Sequence, residues 1–242
     1  MSQITLHQFP PAFGLPNASP FCVKLELILR IFELDYQNHY TMQLKKAPKG
    51  KFPYLTDGDK TIADSEFVMD YLIKTYRPDF DQSVTDEQHG IGTALSRMLN
   101  EHTYWVMVYS RWVEPEGWNR MKSLFFRKIP LPLRPIITTL VQRKIKNSLW
   151  AQGIGRHQRD EIYGRAMQDL EAVEALLPES YFLFGDEPCR YDCSIYAFIV
   201  NILATPFENP LKDKARSLPK LIRYTKQLSV KYFPDFNISL DV

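Results

Sequence analysis

Three short strings decide how the first third of this chain folds: Ser19-Pro20-Phe21-Cys22, Lys51-Phe52-Pro53-Tyr54-Leu55 and Ala63-Asp64-Ser65. The first string opens an apolar run at helical spacing, and a serine followed by proline is typical of a helix start. The third string also carries helix-start residues. In the second string, the proline begins a predicted strand, where it indicates either an edge strand or a cis peptide bond.

Outward from these strings, the first 76 residues alternate strand and helix patterns. The apolar positions predict strands near Ile4 and Leu6 and over 36–41, a helix from residue 20, and a helix over 65–76. A hairpin is predicted where Asp57-Gly58-Asp59 separates two short strand patterns at 53–56 and 60–63. The order β-α-β then β-β-α predicts an α/β thioredoxin-like domain over residues 1–78.

The rest of the chain has helical patterns after a polar linker at residues 77–86. Apolar residues recur at helical spacing over 95–109 and 162–177, and 193–203 is apolar nearly all round, as in a buried helix. We therefore expect an all-helical C-terminal domain over residues 86–234, and a two-domain chain.

The composition bounds the class of protein. The chain has 242 residues, of which 45% are apolar and 24% charged, as in soluble globular proteins. A net charge of +2 gives no whole-protein argument for nucleic acid or membrane binding. Three cysteines are too few for a disulfide framework, and the N-terminus shows no secretory signal, so we expect a cytoplasmic protein. We find no metal-ligand spacing and no Walker or Rossmann glycine pattern, and expect neither a metal nor a nucleotide cofactor.

Together, the three strings resemble the glutathione-binding half of a glutathione transferase. Ser19-Pro20-Phe21-Cys22 is similar to the Cys-Pro-Phe-Cys of glutaredoxins and omega-type transferases, with serine in place of the leading cysteine. A cysteine there forms mixed disulfides, whereas a serine hydrogen-bonds a thiol that arrives on the substrate. The resemblance implies that glutathione is the co-substrate and that Ser19 stabilises its thiolate, the nucleophilic form. The alternative is that Ser19 only caps its helix, which contributes about 1 kcal/mol.

The same resemblance assigns the remaining glutathione contacts. The backbone of Phe52, turned outward before Pro53, pairs with the cysteinyl unit as in β-strand addition. Lys51 meets the glycyl carboxylate, Asp64 or a neighbour accepts from the γ-glutamyl ammonium, and Ser65 donates to its carboxylate. The alternatives are a solvated lysine at 51 and plain helix capping at 64 and 65.

Aromatic residues crowd the long helix around 104–112. Aromatics at such spacing are usually core. The resemblance places this helix beside the glutathione sulfur, which makes Tyr104 and Tyr109 candidates for an apolar electrophile pocket.

Cys22 and Cys189 are predicted to have structural roles. Cys22 is one turn into its helix and is expected to be a small buried hydrophobe. Residues 184–192 resemble the Gly-Asp-x-Pro-Ser/Thr-x-x-Asp motif that opens a central buried helix in transferases. Cys189 occupies the Ser/Thr position, so we expect a weaker cap, and we expect Asp192 to be buried and important for folding.

The segment 117–159 departs from an ordinary transferase. It holds ten arginines and lysines and no acidic residue: Arg120, Lys122, Arg127, Lys128, Arg134, Arg143, Lys144, Lys146, Arg156 and Arg159. This basic insert is interpreted as a solvated face, as extra helices on the core, or as a docking surface for an acidic partner or anionic lipid headgroups.

Several strings resemble one branch of the superfamily, which includes the metaxins, the failed-axon-connections proteins and bacterial relatives. They are Ser19-Pro20-Phe21, Arg97-Met98-Leu99 with Tyr104-Trp105, and residues 153–157. Two functions follow from the resemblance. One is a glutathione transferase, with homodimers common in the superfamily; the other is a non-catalytic scaffold or a membrane- or partner-docking module. Serine at 19 disfavours a third, thiol-disulfide reduction.

Overall fold

A computed structural model describes residues 3–127, 129–179 and 181–240 of the chain. Its N-terminal part contains four strands and two helices: β1 (Ile4–Gln8), α1 (Pro20–Ile31), β2 (Tyr36–Tyr40), β3 (Tyr54–Asp57), β4 (Lys60–Ala63) and α2 (Ser65–Tyr76). These elements confirm the predicted order, and α2 has the predicted bounds.

The strand register explains why the three strings come together. The sheet order is β2-β1-β3-β4, with β1 parallel to β2 and antiparallel to β3. Tyr54 lies opposite both His7 on β1 and Ala63 on β4. The end of β1, the start of β3 and the end of β4 therefore share one edge of the sheet. The loop that leads to Ser19, the Phe52–Pro53 bond and the start of α2 meet at that edge.

The remaining described residues fold into helices: α3 (Asp86–Met98), α4 (Tyr104–Trp112), α5 (Pro115–Phe125), α6 (Arg134–Gln152), α7 (Arg159–Leu176), α8 (Arg190–Leu203), α9 (Pro210–Arg216) and α10 (Pro219–Tyr232). The predicted α/β plus all-α fold is confirmed, while the domain limits at residues 78 and 86 stay a prediction.

The long helix predicted across 95–109 is interrupted by one wide turn. Residues Leu99–Thr103 between α3 and α4 are π-helical. His102 Nδ1 and Thr103 Oγ1 both lie 2.6 Å from Asp169 Oδ2 on α7. In a regular α-helix, consecutive side chains are spaced about 100° apart around the axis. The wide turn lets two consecutive side chains reach one carboxylate.

Helix α8 is the central core helix, and it packs against α1. Asp192 in its first turn is fully buried and accepts hydrogen bonds from Leu183 N (2.8 Å), Cys189 N (2.9 Å) and Tyr224 Oη (2.7 Å). The prediction that Asp192 is buried and structural is confirmed. Cys189 Sγ completes the cap at 3.1 Å from Asp192 Oδ2, and the relative strength of this thiol cap stays a prediction.

The basic insert is ordered into helices. It comprises most of α5, all of α6 and the 3₁₀ turn Ile154–Arg156, although Lys128 lies outside the described residues. Helix α6 contacts α4 and that turn. Within the described ranges, no helix is both long and apolar enough to cross a bilayer.

Candidate functional site

Ser19 stands at the N-terminus of α1 in extended conformation, with φ −99° and ψ 122°. Its carbonyl oxygen accepts from the amides of Cys22 and Val23, both at 3.1 Å. Among the described residues, its hydroxyl makes no capping hydrogen bond. The capping alternative therefore does not account for the side chain, whose hydroxyl stands at the positive end of a 12-residue helix.

The peptide that precedes Ser19 is held on both sides. Its N–H donates to Asn17 Oδ1 at 3.0 Å, and its carbonyl, that of Ala18, accepts from Arg111 Nη1 at 2.6 Å. Asn17 is fully buried and donates in turn to Phe9 O at 2.7 Å. One anchor thus comes from the loop itself and the other from α4, so the backbone of Ser19 has a fixed position. We call these contacts of Asn17 and Arg111 the Ser19 clamp.

Arg111 is a buried cation without a described carboxylate partner. Its second terminal nitrogen donates to Asn201 O at 2.9 Å, and its guanidinium lies 5.1 Å from the centre of the Phe207 ring. Burial lowers the pKa of Arg111 to about 10, which leaves it protonated at neutral pH. The loop before Ser19 therefore lies against a permanent positive charge.

A buried network of polar side chains around Glu26 also supports the loop that leads to Ser19. Gln8 Nε2 donates to Glu26 Oε2 at 2.8 Å, and Tyr36 Oη donates to Glu26 Oε1 at 3.2 Å. Arg30 neutralises Glu26 at 3.2 Å and also donates to Asp235 Oδ2 at 2.8 Å. Since Asn17 donates to Gln8 Oε1 at 3.1 Å, the network joins the Ser19 clamp to the C-terminal segment.

Cys22 connects Ser19 to the second string. It is fully buried and packs with Ala47 and Phe52. Burial raises the pKa of the Cys22 thiol to about 12, against an opposing interaction with the Ser19 hydroxyl. The prediction that Cys22 is a small buried hydrophobe is confirmed, and its packing brings the start of α1 beside Phe52.

The Phe52–Pro53 peptide bond is cis. Strand β3, which follows it, lies between β1 and β4, so the edge-strand alternative for Pro53 is wrong. Neither the N–H nor the C=O of Phe52 forms a backbone hydrogen bond with another described residue. Both groups are available to an extended peptide.

The start of α2 combines a cap with a buried ion pair. Asp64 is the N-cap, at φ 89°, and its Oδ1 accepts from Glu66 N at 3.0 Å, while Ser65 is buried at the first helical position. The Glu66 carboxylate lies 2.6 Å from the buried Lys24 Nζ and 3.1 Å from Asn100 Nδ2. Burial raises the pKa of Glu66, but Lys24, Asn100 and Arg97 together lower it by more, and the net shift of the pKa is downward. Asp64 thus caps the helix and leaves Oδ2 for other contacts.

The other predicted site residues lie in three places. Lys51 is exposed and forms no salt bridge with a described carboxylate. The Tyr104 ring packs 5.0 Å from Phe21, next to Ser19, whereas the Tyr109 ring lies 6.2 Å from Tyr163 on α7. The structure brings Tyr104 to the start of α1 and turns Tyr109 toward α7.

An aromatic row that the sequence patterns did not indicate runs from the second string into the helical part. The Phe9 ring lies 5.1 Å from Phe52 and 5.9 Å from Phe125, and Phe125 lies 5.6 Å from Trp112. These four rings, which we call the aromatic row, provide an apolar surface that begins at Phe52 and ends at Trp112.

Family models match both parts of the chain. The glutathione S-transferase N-terminal domain matches residues 20–117, and the glutathione S-transferase C-terminal domain matches residues 166–228. The chain belongs to the glutathione S-transferase family. The theta class glutathione S-transferase of Xanthomonas axonopodis pv. citri, solved with glutathione bound, superposes with a TM-score of 0.61 over 99% of this chain and 100% of that one, at 16% identity.

Relatives of this transferase-family chain have diverse names. Failed axon connections of Drosophila melanogaster is 30% identical over 97% of the chain, which spans only 59% of that protein. The isoprene-epoxide–glutathione S-transferase of Rhodococcus sp. (strain AD45) is 25% identical over 95% of the chain and 99% of its own length. The mitochondrial outer membrane import complex protein METAXIN of Arabidopsis thaliana is 25% identical over 94% of the chain and 72% of its own length. The predicted resemblance to the metaxin and failed-axon-connections branch is confirmed.

Proposed function

We propose that this protein is a glutathione transferase in which Ser19 stabilises the thiolate of bound glutathione for conjugation to an electrophilic small molecule. The observation that carries the proposal is the Ser19 hydroxyl, which heads α1 yet makes no capping hydrogen bond among the described residues. The Rhodococcus relative, matched over 99% of its length, is named as a glutathione S-transferase and supports an enzymatic role.

Glutathione binds along the shared sheet edge. The free N–H and C=O of Phe52 pair with the cysteinyl unit, which directs the sulfur toward Ser19. The Ser65 hydroxyl and the first amides of α2 receive the γ-glutamyl carboxylate, and Asp64 Oδ2 accepts from the ammonium. Lys51 reaches the glycyl carboxylate from the exposed rim.

The chemistry requires an anionic sulfur. A free thiol has a pKa of about 8.5, so a neutral site leaves it mostly protonated at pH 7. The Ser19 hydroxyl, the positive end of α1 and the nearby Arg111 cation all favour the thiolate. The proton passes to solvent and the sulfur bonds to the electrophilic carbon. The bond from that carbon to a leaving group breaks, and the leaving group departs with its electron pair; when the electrophile is a strained ring, the ring oxygen keeps the electron pair of the broken bond, stays in the product and takes a proton from solvent. Tyr104 and the aromatic row provide the apolar wall for the electrophile, and the role of Tyr109 in this pocket stays a prediction.

A second candidate function is docking without catalysis. The acid-free basic insert favours it, because conjugation does not require the exposed cations of that insert, and the METAXIN relative favours it as well. The backbone groups of Phe52, unpaired among the described residues, and the position of the Ser19 hydroxyl at the start of α1 favour the enzyme. Homodimerisation and a cytoplasmic location stay predictions from the sequence.

Calorimetric titration with glutathione separates the two functions. We expect wild-type protein to bind, and Ser65→Ala and Asp64→Ala to bind more weakly, because each removes a contact to the γ-glutamyl group. Ser83→Ala, an exposed serine in the linker, is the matched control and should bind like wild type. Absence of binding at millimolar glutathione would overturn the proposal in favour of docking.

Ultraviolet difference spectra then test the role of Ser19. We expect a thiolate band from bound glutathione in wild type that is reduced in Ser19→Ala at equal saturation. Ser19→Cys should acquire mixed-disulfide exchange with glutathione disulfide, releasing one molecule of reduced glutathione. An undiminished thiolate band in Ser19→Ala would contradict the assigned role even if binding is normal.

A further inference from the structure

The turn that precedes α6 and the outward side of α6 carry apolar side chains that no part of the described chain covers. Leu131, Leu133, Ile136 and Leu140 expose 75%, 52%, 59% and 61% of their surface. Positions 133, 136 and 140 lie on one side of a helix by their spacing. The opposite side of α6 buries Thr138 and Leu149 against the fold, so these four apolar side chains do not serve the core.

Basic side chains continue this surface along the helix. Arg143, Lys144 and Lys146 are exposed, and none forms a salt bridge with a described carboxylate. Other cations of the insert are engaged locally: Arg159 with Glu114 at 2.6 Å, and Arg134 with the carbonyl of Ile129 at 3.0 Å. The three cations and the four apolar residues together form what we call the α6 surface.

The positive charge of the α6 surface indicates which kind of partner binds it. A second copy of the chain, related by a two-fold axis, would present the same acid-free segment and so supplies no countercharge for these cations. A bilayer with anionic headgroups supplies the missing countercharge, and its interfacial zone accepts exposed leucine and isoleucine side chains. Helix α6 is already held by its buried side, so it would lie along such a surface without crossing it.

We propose that the α6 surface docks this protein onto anionic membranes, with Leu131, Leu133, Ile136 and Leu140 entering the interface and Arg143, Lys144 and Lys146 contacting headgroups. The proposal does not depend on the transferase function. A lipid surface fits both parts of the α6 surface, because its headgroups pair with the cations and its interfacial zone accepts the exposed apolar side chains.

The test is sedimentation of the full chain with vesicles of phosphatidylcholine alone and of phosphatidylcholine mixed with phosphatidylserine. We expect binding to the mixed vesicles, weakening as salt is raised because the headgroup attraction is screened. Arg143→Gln/Lys144→Gln/Lys146→Gln should lower the partition coefficient at least tenfold, on the order expected for three lost surface cations. Ile136→Ser/Leu140→Ser should lower it by a similar factor, on the order expected for two apolar side chains.

Matched controls make the result specific to α6. Lys45→Gln/Lys46→Gln removes two exposed lysines, and Val230→Ser removes an apolar side chain that is 69% exposed on α10. Both controls should bind vesicles like wild type. All variants should keep wild-type unfolding temperature and glutathione binding, which separates this test from that of the proposed function.

Four outcomes would overturn the proposal. The first is absence of binding to mixed vesicles at low salt. The second is equal loss of binding in the control variants. The third is a wild-type dimer, seen by sedimentation velocity, that dissociates in Ile136→Ser/Leu140→Ser without any vesicle binding, which would assign the surface to a second copy. Binding to polyglutamate but not to vesicles would equally reject the membrane in favour of an acidic protein.

Discussion

Replacing Arg111 with methionine should raise the pKa of bound glutathione without abolishing its binding. Arg111 contacts none of the residues that hold the γ-glutamyl, cysteinyl or glycyl units in the proposed site. It acts through the carbonyl of Ala18, 2.6 Å from its Nη1, and through its charge. Methionine keeps a long apolar side chain in the same space while removing both effects.

The magnitude follows from the geometry. The contact through Ala18 puts the guanidinium roughly 8 Å from a sulfur bound at the Ser19 hydroxyl, where a unit charge contributes about 2 kcal/mol at an effective dielectric constant of about 20. Loss of that attraction raises the thiol pKa by about 1.5. Stability should fall as well, by about 1–3 kcal/mol, because the carbonyls of Ala18 and Asn201 lose their donor.

The assay is ultraviolet titration of saturated glutathione complexes between about pH 5 and pH 10, a range that brackets the reference thiol pKa. Arg111→Lys, which keeps the charge, should restore most of the wild-type thiol pKa. Tyr224→Phe is the control for lost stability, since it removes the 2.7 Å hydrogen bond to Asp192 in the core. It should leave the thiol pKa unchanged. An Arg111→Met complex that titrates like wild type would refute the reasoning.

Two further predictions concern the scaffold. Hydrogen bonding to Asp169 raises the pKa of His102, so this pair stabilises the fold fully below about pH 6.5 and less as the pH rises through the raised pKa. The free energy of unfolding that His102→Asn loses, measured in urea, should therefore be larger at about pH 6 than at about pH 8.5. A loss that does not change with pH would contradict this prediction. Gly117→Ala should lower the free energy of unfolding by about 1–3 kcal/mol, because the added Cβ would overlap the Ser110 carbonyl oxygen. Gly164→Ala on α7 should raise it by about 0.5–1 kcal/mol, because nothing lies within 4 Å of the added Cβ. Equal unfolding temperatures for these two variants would contradict the close approach at Gly117.

The local elements could be predicted because local signals specify them. Helix α2 begins at Ser65 after an aspartate cap and ends at Tyr76 before Pro78, and both signals lie within a few residues of the helix ends. The hairpin β3–β4 follows from Asp57-Gly58-Asp59 in the same way. The order of these elements indicates the thioredoxin-like arrangement, while the strand register comes from the structure.

The supports of the site could not be predicted, because they join residues that are distant along the chain. Arg111 meets Ala18 across 93 positions, and Glu66 meets Lys24 across 42. An arginine inside an aromatic helix face was one available signal, since a buried cation there requires a partner. The sequence does not reveal that this partner is the peptide before Ser19.

The two buried cations at the site differ in one respect that bears on its chemistry. Lys24 is neutralised by Glu66 at 2.6 Å, whereas Arg111 meets only carbonyl and amide oxygens among the described residues. A buried cation without a carboxylate costs free energy, and that cost is offset when an anion arrives nearby. In the proposed function, a thiolate at Ser19 is such an anion, so an arrangement that costs free energy without glutathione would favour the ionised form of glutathione when it binds. Because Arg111 belongs to α4 and Ser19 to α1, this effect exists only while the helical part is packed against the α/β part.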